Sequence, residues 1–190
     1  MYKQTAFFLL LIGSFLITNN TSAQTGGDVC YNPNLVTDTS KKSIKSMAAV
    51  VVNGDSIKIN YHSPGVRKRI IWGGLVQYGE VWVTGAHDAT TLEMPVNFIV
   101  NGKEIPAGKY ALFSIPGKKE WTFIINKHWK QHLASEYDEK DDVVRIKVKP
   151  KKTKHTERLQ YFIETESNSK GYIAVAWEKL QLKIPFILKN

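Results

Sequence analysis

Two histidines and an aspartate carry the side chains best suited to chemistry in this chain: His62, His87 and Asp88. His62 closes the run "SIKINYH" (56–62) on its polar face, and His87-Asp88 sits in "TGAHDATT" (84–91), ahead of the next strand-like stretch. If those segment ends meet, two imidazoles and a carboxylate could hold a divalent metal with open positions. They could equally form a His–Asp pair for proton transfer. Neither histidine belongs to a compact motif, so the expectation is structural, with each ring bonded to backbone at a loop. His128 and His132 are four apart, which puts them on one face of a helix. Trp129 follows the first of them where a zinc protease needs a glutamate, so a plain surface face is expected. No Gly-x-Ser-x-Gly elbow occurs, and the single cysteine, Cys30, lies in the N-terminal lead, so nucleophilic catalysis has no candidate.

The aromatics Trp72, Tyr78, Trp82, Tyr110 and Trp121 form a second set. Exposed on one rim they would stack sugar rings or peptide side chains; buried they would be the bulky part of a core. Core is expected for most, with Trp82 partly exposed because it leads into Thr84-Gly85-Ala86, small residues that suit a tight loop or a close backbone approach. Arg67, Lys68 and Arg69 share this block. Residues 78–91 therefore read as a strand–loop–strand unit that also rims a binding site, with Arg69, Tyr78, Trp82, Thr84, His87 and Asp88 as the ligand-contacting set.

The elements that must position these residues are strands. "SIKINYH" sets Ile57, Ile59 and Tyr61 against Lys58, Asn60 and His62, and "VVRIKVK" (143–149) alternates in the same way. Such period-two alternation marks half-buried strands of an antiparallel sheet. "YIAVAWEKLQLKIPF" (172–186) repeats it twice, with a turn expected near Glu178-Lys179. Asn53-Gly54 and Asn101-Gly102 are hairpin dipeptides, since both central positions of that turn need positive φ. Pro106-Ala107-Gly108 and Pro116-Gly117 mark further reversals. Only "NKHWKQHLASEY" (126–137) looks helical. The expected fold is all-β: an antiparallel β-sandwich of about ten short strands with one short helix.

Residues 1–23 read as a signal peptide, with Lys3, the apolar run "AFFLLLIGSFLI" (6–17) and the small-residue ending "TSA" (21–23). A polar lead follows over 24–45, then a single sandwich domain over 46–190. One cysteine allows no intramolecular disulfide. The context of Cys30, after Asp28-Val29, does not suit lipidation. The formal charge of +9 is concentrated in "KVKPKKTKHTER" (147–158), expected to be a solvated loop; contact with anionic glycan or lipid headgroups is its sharper alternative. Nucleic acid is not expected as a partner of an exported chain.

With these residues in place, the block 61–127 resembles a family of exported bacterial proteins known only as a domain of unknown function. The pattern Y-G-x-V-W-x-T-G-A-x-x-A-T-T is met by "YGEVWVTGAHDATT" (78–91), and I-P-A-G-x-Y-x-L-F-x-I-P-G by "IPAGKYALFSIPG" (105–117). The resemblance implies export and a β-rich fold, and it brings no activity. Two departures matter: His62-Ser63 stands where the pattern has Ser-Arg, and Val83 and His87 stand where it has Arg and Asn. A role for those arginines in carboxylate or phosphate binding cannot be carried over.

The functional expectation is an exported, secreted or periplasmic, non-enzymatic sandwich that binds a small ligand, glycan or cell-envelope partner and needs no cofactor. The alternative is a metal-assisted hydrolase using a divalent ion on His62, His87 and Asp88.

Overall fold

The computed structural model describes residues 29–31 and 41–189. The expected signal peptide, most of the lead and the Cys30 side chain lie outside the described residues. In chain order the strands are β1 (Val29–Tyr31), β2 (Ser43–Val52), β3 (Asp55–Pro64), β4 (Thr90–Met94), β5 (Phe98–Val100) and β6 (Lys103–Ile105). There follow β7 (Gly108–Ile115), β8 (Trp121–Asn126), β9 (Asp142–Val148), β10 (Lys151–Thr165) and β11 (Lys170–Leu188). One sheet has seven strands in the order β1-β2-β3-β4-β7-β8-β9, the other four in the order β10-β11-β5-β6. Every pairing between these named strands is antiparallel. The fold is an all-β sandwich, as the alternation requires.

Inward-facing residues follow the expected phase. Ile57, Ile59 and Tyr61 are buried on β3, as are Val144 and Ile146 on β9, and they meet Leu182, Ile184 and Phe186 of β11 in one core between the sheets. The two Asn-Gly pairs turn β2 into β3 and β5 into β6 with positive φ at both positions, as predicted.

Three local expectations are corrected. Residues 126–137 contain no helix. Central backbone groups bond outward: Leu133 N–H donates to the His87 carbonyl and the Gln131 carbonyl accepts from Ala89 N–H, while within the segment Tyr137 N–H reaches back to the Ala134 carbonyl as an isolated turn. Leu133 sits at φ +52, which no right-handed helix tolerates. The helical spacing of its apolar residues serves a loop lying on a sheet. Glu178-Lys179 is not a turn. β11 runs through it, with Glu178 at φ +53 and the pairing register against β10 shifting on either side of Thr156, so the interruption is a bulge that bends the ribbon. Residues 147–158 are not a loop either. Lys149-Pro150 is a two-residue link between β9 and β10, the edge strands of the two sheets. Lysines on edge strands oppose pairing with a second chain, which accounts for much of this run.

A second, smaller cluster lies on the outer face of the seven-stranded sheet. Val83, Ala89, Ala111, Phe113 and Ile124 are buried there, with Ala134 and Tyr137 packed against them. Two segments, 78–89 and 127–138, make this cover, and where it ends a groove opens.

Candidate outer-face groove

The loop 127–138 is held at both ends by polar contacts. Asn126 Nδ2 donates to the Asp138 carbonyl (3.1 Å) and to Asp142 Oδ1 (2.8 Å), while Asn126 Oδ1 accepts from His128 N–H. Tyr137 donates its hydroxyl to Asp142 Oδ2 (2.6 Å), and Arg145 bridges Asp142 and Glu139. Burial, then the Asp142 carboxylate, pushes the Tyr137 hydroxyl far above the ordinary phenol range, so it remains a donor. The loop is thereby fixed against β8 and β9, with the Tyr137 ring packed on Phe113 of β7. It presents Trp129, Gln131, His132 and Glu136 to a groove of about 630 Å³, faced by Lys45 of β2 and by Asn60 and His62 of β3.

His62, His87 and Asp88 are brought together, and His132 joins them. The His62 and His87 rings meet edge to face with centroids 5.1 Å apart, His87 and His132 lie 6.5 Å apart, and His132 Nδ1 is 3.4 Å from Asp88 Oδ1. Partial burial is the main cause holding the His62 imidazole below its ordinary value of 6.5; the neighbouring His87 adds to it and Asp88 opposes it. Among the described residues no group of three His, Cys, Asp or Glu is placed to hold a metal ion. Of the four, His62, Asp88 and His132 line the groove and His87 packs against His62 just beside it, a polar cluster rather than one coordination sphere. His87 has φ +58, a left-handed conformation in which asparagine is at ease, and this explains the asparagine of the resembling pattern at this position.

The other expected ligand contacts lie elsewhere. Arg69 turns its guanidinium back on its own loop, donating from Nη2 to the Gly65 carbonyl (2.5 Å) and from Nε to that of Val66 (3.2 Å). Tyr78 is exposed beside Gly73, where an added Cβ would strike its ring. Trp82 donates from Nε1 to the Gly85 carbonyl (3.0 Å) and stacks on Trp177, so it belongs to the core edge. Thr84 is fully buried, its hydroxyl 2.8 Å from that of Ser114, and its carbonyl accepts from Tyr161 (3.0 Å). Gly85 is required by close approach, because a Cβ there would meet the Thr90 hydroxyl at 2.7 Å. Thr84-Gly85-Ala86 is a structural knot behind the groove. The groove itself draws on Lys45, Asn60, Trp129, Gln131, His132 and Glu136, which sequence reasoning did not select. No local motif marks them, because they come from three separate segments.

Fold and groove together define a two-sheet antiparallel sandwich with a polar, aromatic-edged groove on one outer face. The chain belongs to the DUF2911 family, described as proteins of unknown function, whose profile matches residues 43–186. No curated protein and no solved structure matches it.

Proposed function

We propose that this chain is an exported, non-enzymatic domain that binds a small ligand, glycan or envelope partner, and that the small-ligand or glycan seat is the outer-face groove. The carrying observation is the groove's make-up. Trp129, 39% exposed, offers an aromatic surface at one edge, and Asn60, Asp88, Gln131, Lys45 and Glu136 supply donors and acceptors around it. A stacking face flanked by planar polar groups suits a hydroxyl-rich ligand. The one serine of the lining, Ser46, donates its hydroxyl to the Ile44 carbonyl (3.1 Å), which leaves it badly placed for attack on a substrate.

The test is a titration of soluble envelope-derived oligosaccharides monitored by backbone NMR, with wild type beside Trp129→Ala and Asp88→Asn. Saturable shifts confined to 45–46, 60–62, 88–91 and 129–136, reduced about tenfold or more in affinity by Trp129→Ala, would support the reading. Shifts elsewhere, or none with any sugar, would remove it. The alternative, a metal-assisted hydrolase on His62, His87 and Asp88, has only the 5.1 Å approach of the two imidazole rings behind it. Elemental analysis of chelator-free protein decides it: one divalent ion per chain that disappears in His87→Ala would replace the non-enzymatic reading. Export is checked by N-terminal sequencing of the exported chain, which should begin at Gln24.

A further inference from the structure

The loop between β3 and the Trp82 segment carries a feature that the groove does not use. Its backbone folds tightly, with Leu75 N–H donating to the Ile70 carbonyl (3.0 Å) and Val76 N–H to that of Ile71 (2.9 Å). Beneath, it is anchored by Ile71 and Val76, both buried, and by Trp72 packed on Trp121 and Trp177. On its outside stand Ile70, 78% exposed, and Leu75, 49% exposed. A loop pinned this firmly does not expose two large aliphatic side chains through slack. They form a fixed apolar tip.

Two segments close to the tip are rich in positive charge. Residues 66–78 contain Arg67, Lys68 and Arg69 and no acidic residue, and residues 147–156 contain five lysines and no acidic residue. The loop is bonded to the glutamate that directly follows this basic run: Val66 N–H donates to the Glu157 carbonyl (2.7 Å) and Arg67 N–H to its carboxylate (2.8 Å). Lys151, Lys152 and Lys154 are exposed on the neighbouring stretch of β10. Protection of an edge strand accounts for lysines on β10 but not for the aliphatic tip beside them. Aliphatic side chains projecting from a rigid base within a field of cations match one partner chemistry: an anionic lipid surface, whose headgroups take the cations and whose acyl boundary takes the tip.

We infer that this end of the sandwich docks on membranes containing anionic phospholipid, with Ile70 and Leu75 entering the interface and Lys151, Lys152 and Lys154 pairing with headgroups. Docking rests on the export reading but not on the groove, so failure of sugar binding leaves it standing.

Co-sedimentation of the full chain with vesicles tests it. Vesicles of mixed phosphatidylglycerol and phosphatidylethanolamine should bind the protein, pure phosphatidylcholine should not, and binding should weaken as salt rises. Ile70→Ser with Leu75→Ser should lower affinity about tenfold with the thermal midpoint held, because both side chains are exposed. Lys151→Glu with Lys152→Glu should lower it at least as far. Lys58→Glu with Lys103→Glu, the same change of net charge on other strands, should leave it close to wild type. Equal binding to neutral vesicles, no binding to the anionic ones, or an equal loss from the Lys58/Lys103 pair would overturn the proposal. So would an unaltered affinity in the Ile70/Leu75 variant, which would point to a soluble polyanion as the partner.

Discussion

Two aromatic-rich regions of this molecule make a useful contrast: the tryptophan cap at one end of the core and the groove on the outer sheet face. In the cap, Trp72, Trp82, Trp121 and Trp177 meet with ring centroids 4.8 to 6.3 Å apart and leave almost no free volume. In the groove, Trp129 is 39% exposed, with Lys109 Nζ 4.4 Å from its ring centre and open space of about 630 Å³ alongside. The same residue type closes one site and leaves the other open. What differs is the backbone beneath. The cap tryptophans come from β8, β11 and segments tied to the sheets, while Trp129 comes from a loop laid over a sheet face.

The largest effect should come from testing that contrast directly. Trp177→Ala removes a side chain that is 2% exposed and packed between Trp72 and Trp82. It should cost about 3–5 kcal/mol in urea unfolding, from lost transfer energy and the cavity left behind. Trp129→Ala should cost less, about 1–2 kcal/mol, because 39% of its surface already faces water and no closed cavity is left behind. Equal losses would mean that the outer-face loop is as much a part of the folding core as the cap, and the contrast would fail.

A smaller effect should separate the knot behind the groove from the groove. Thr84→Val keeps the shape and removes a fully buried hydroxyl, leaving that of Ser114 without its 2.8 Å partner. About 1–3 kcal/mol should be lost. Asp88→Asn, changing an exposed carboxylate on the groove side, should stay within about 0.5 kcal/mol. If Asp88→Asn costs as much as Thr84→Val, the residues of 84–88 are one structural unit and the groove loses its status as a separate site.

Period-two patterning and the Asn-Gly turns made the sandwich legible, because alternation and positive-φ turns are local properties. The outer-face loop was not legible. "NKHWKQHLASEY" (126–137) has the spacing of a helix, but its bonds to residues 87–89 and the Asn126–Asp142 contact override propensity, and long-range bonds leave no local trace. For the same reason His62, His87 and Asp88 could be suspected of meeting, whereas His132 could not be added while it sat on an expected helix. Trp82 and Thr84 were singled out as site residues for features that belong equally to a packed corner. Burial separates those two roles, and burial is not written in residue type alone.

The smallest expected effect concerns protons. Burial is the first cause depressing the His62 imidazole, the adjoining His87 the second, while Asp88 pulls the other way. In the unfolded chain the group titrates near its ordinary 6.5, so in the pH window just below that value the unfolded state binds more proton than the folded one. Stability contributed by neutral His62 is therefore whole above about pH 6.5 and lost as pH falls through the depressed folded value. Carboxylates elsewhere also titrate on acidification, and subtracting a His62→Gln variant removes their share. Unfolding curves at about pH 7.5 and about pH 5.5 should show wild type losing more stability than His62→Gln. His87→Gln should move the His62 titration, followed by its ring Cε1 proton, only part of the way back up, since burial remains. Parallel losses in wild type and His62→Gln would mean that His62 is as freely solvated as any surface imidazole. The groove wall would then be looser than the ring contact with His87 implies, in contrast to the closed tryptophan cap.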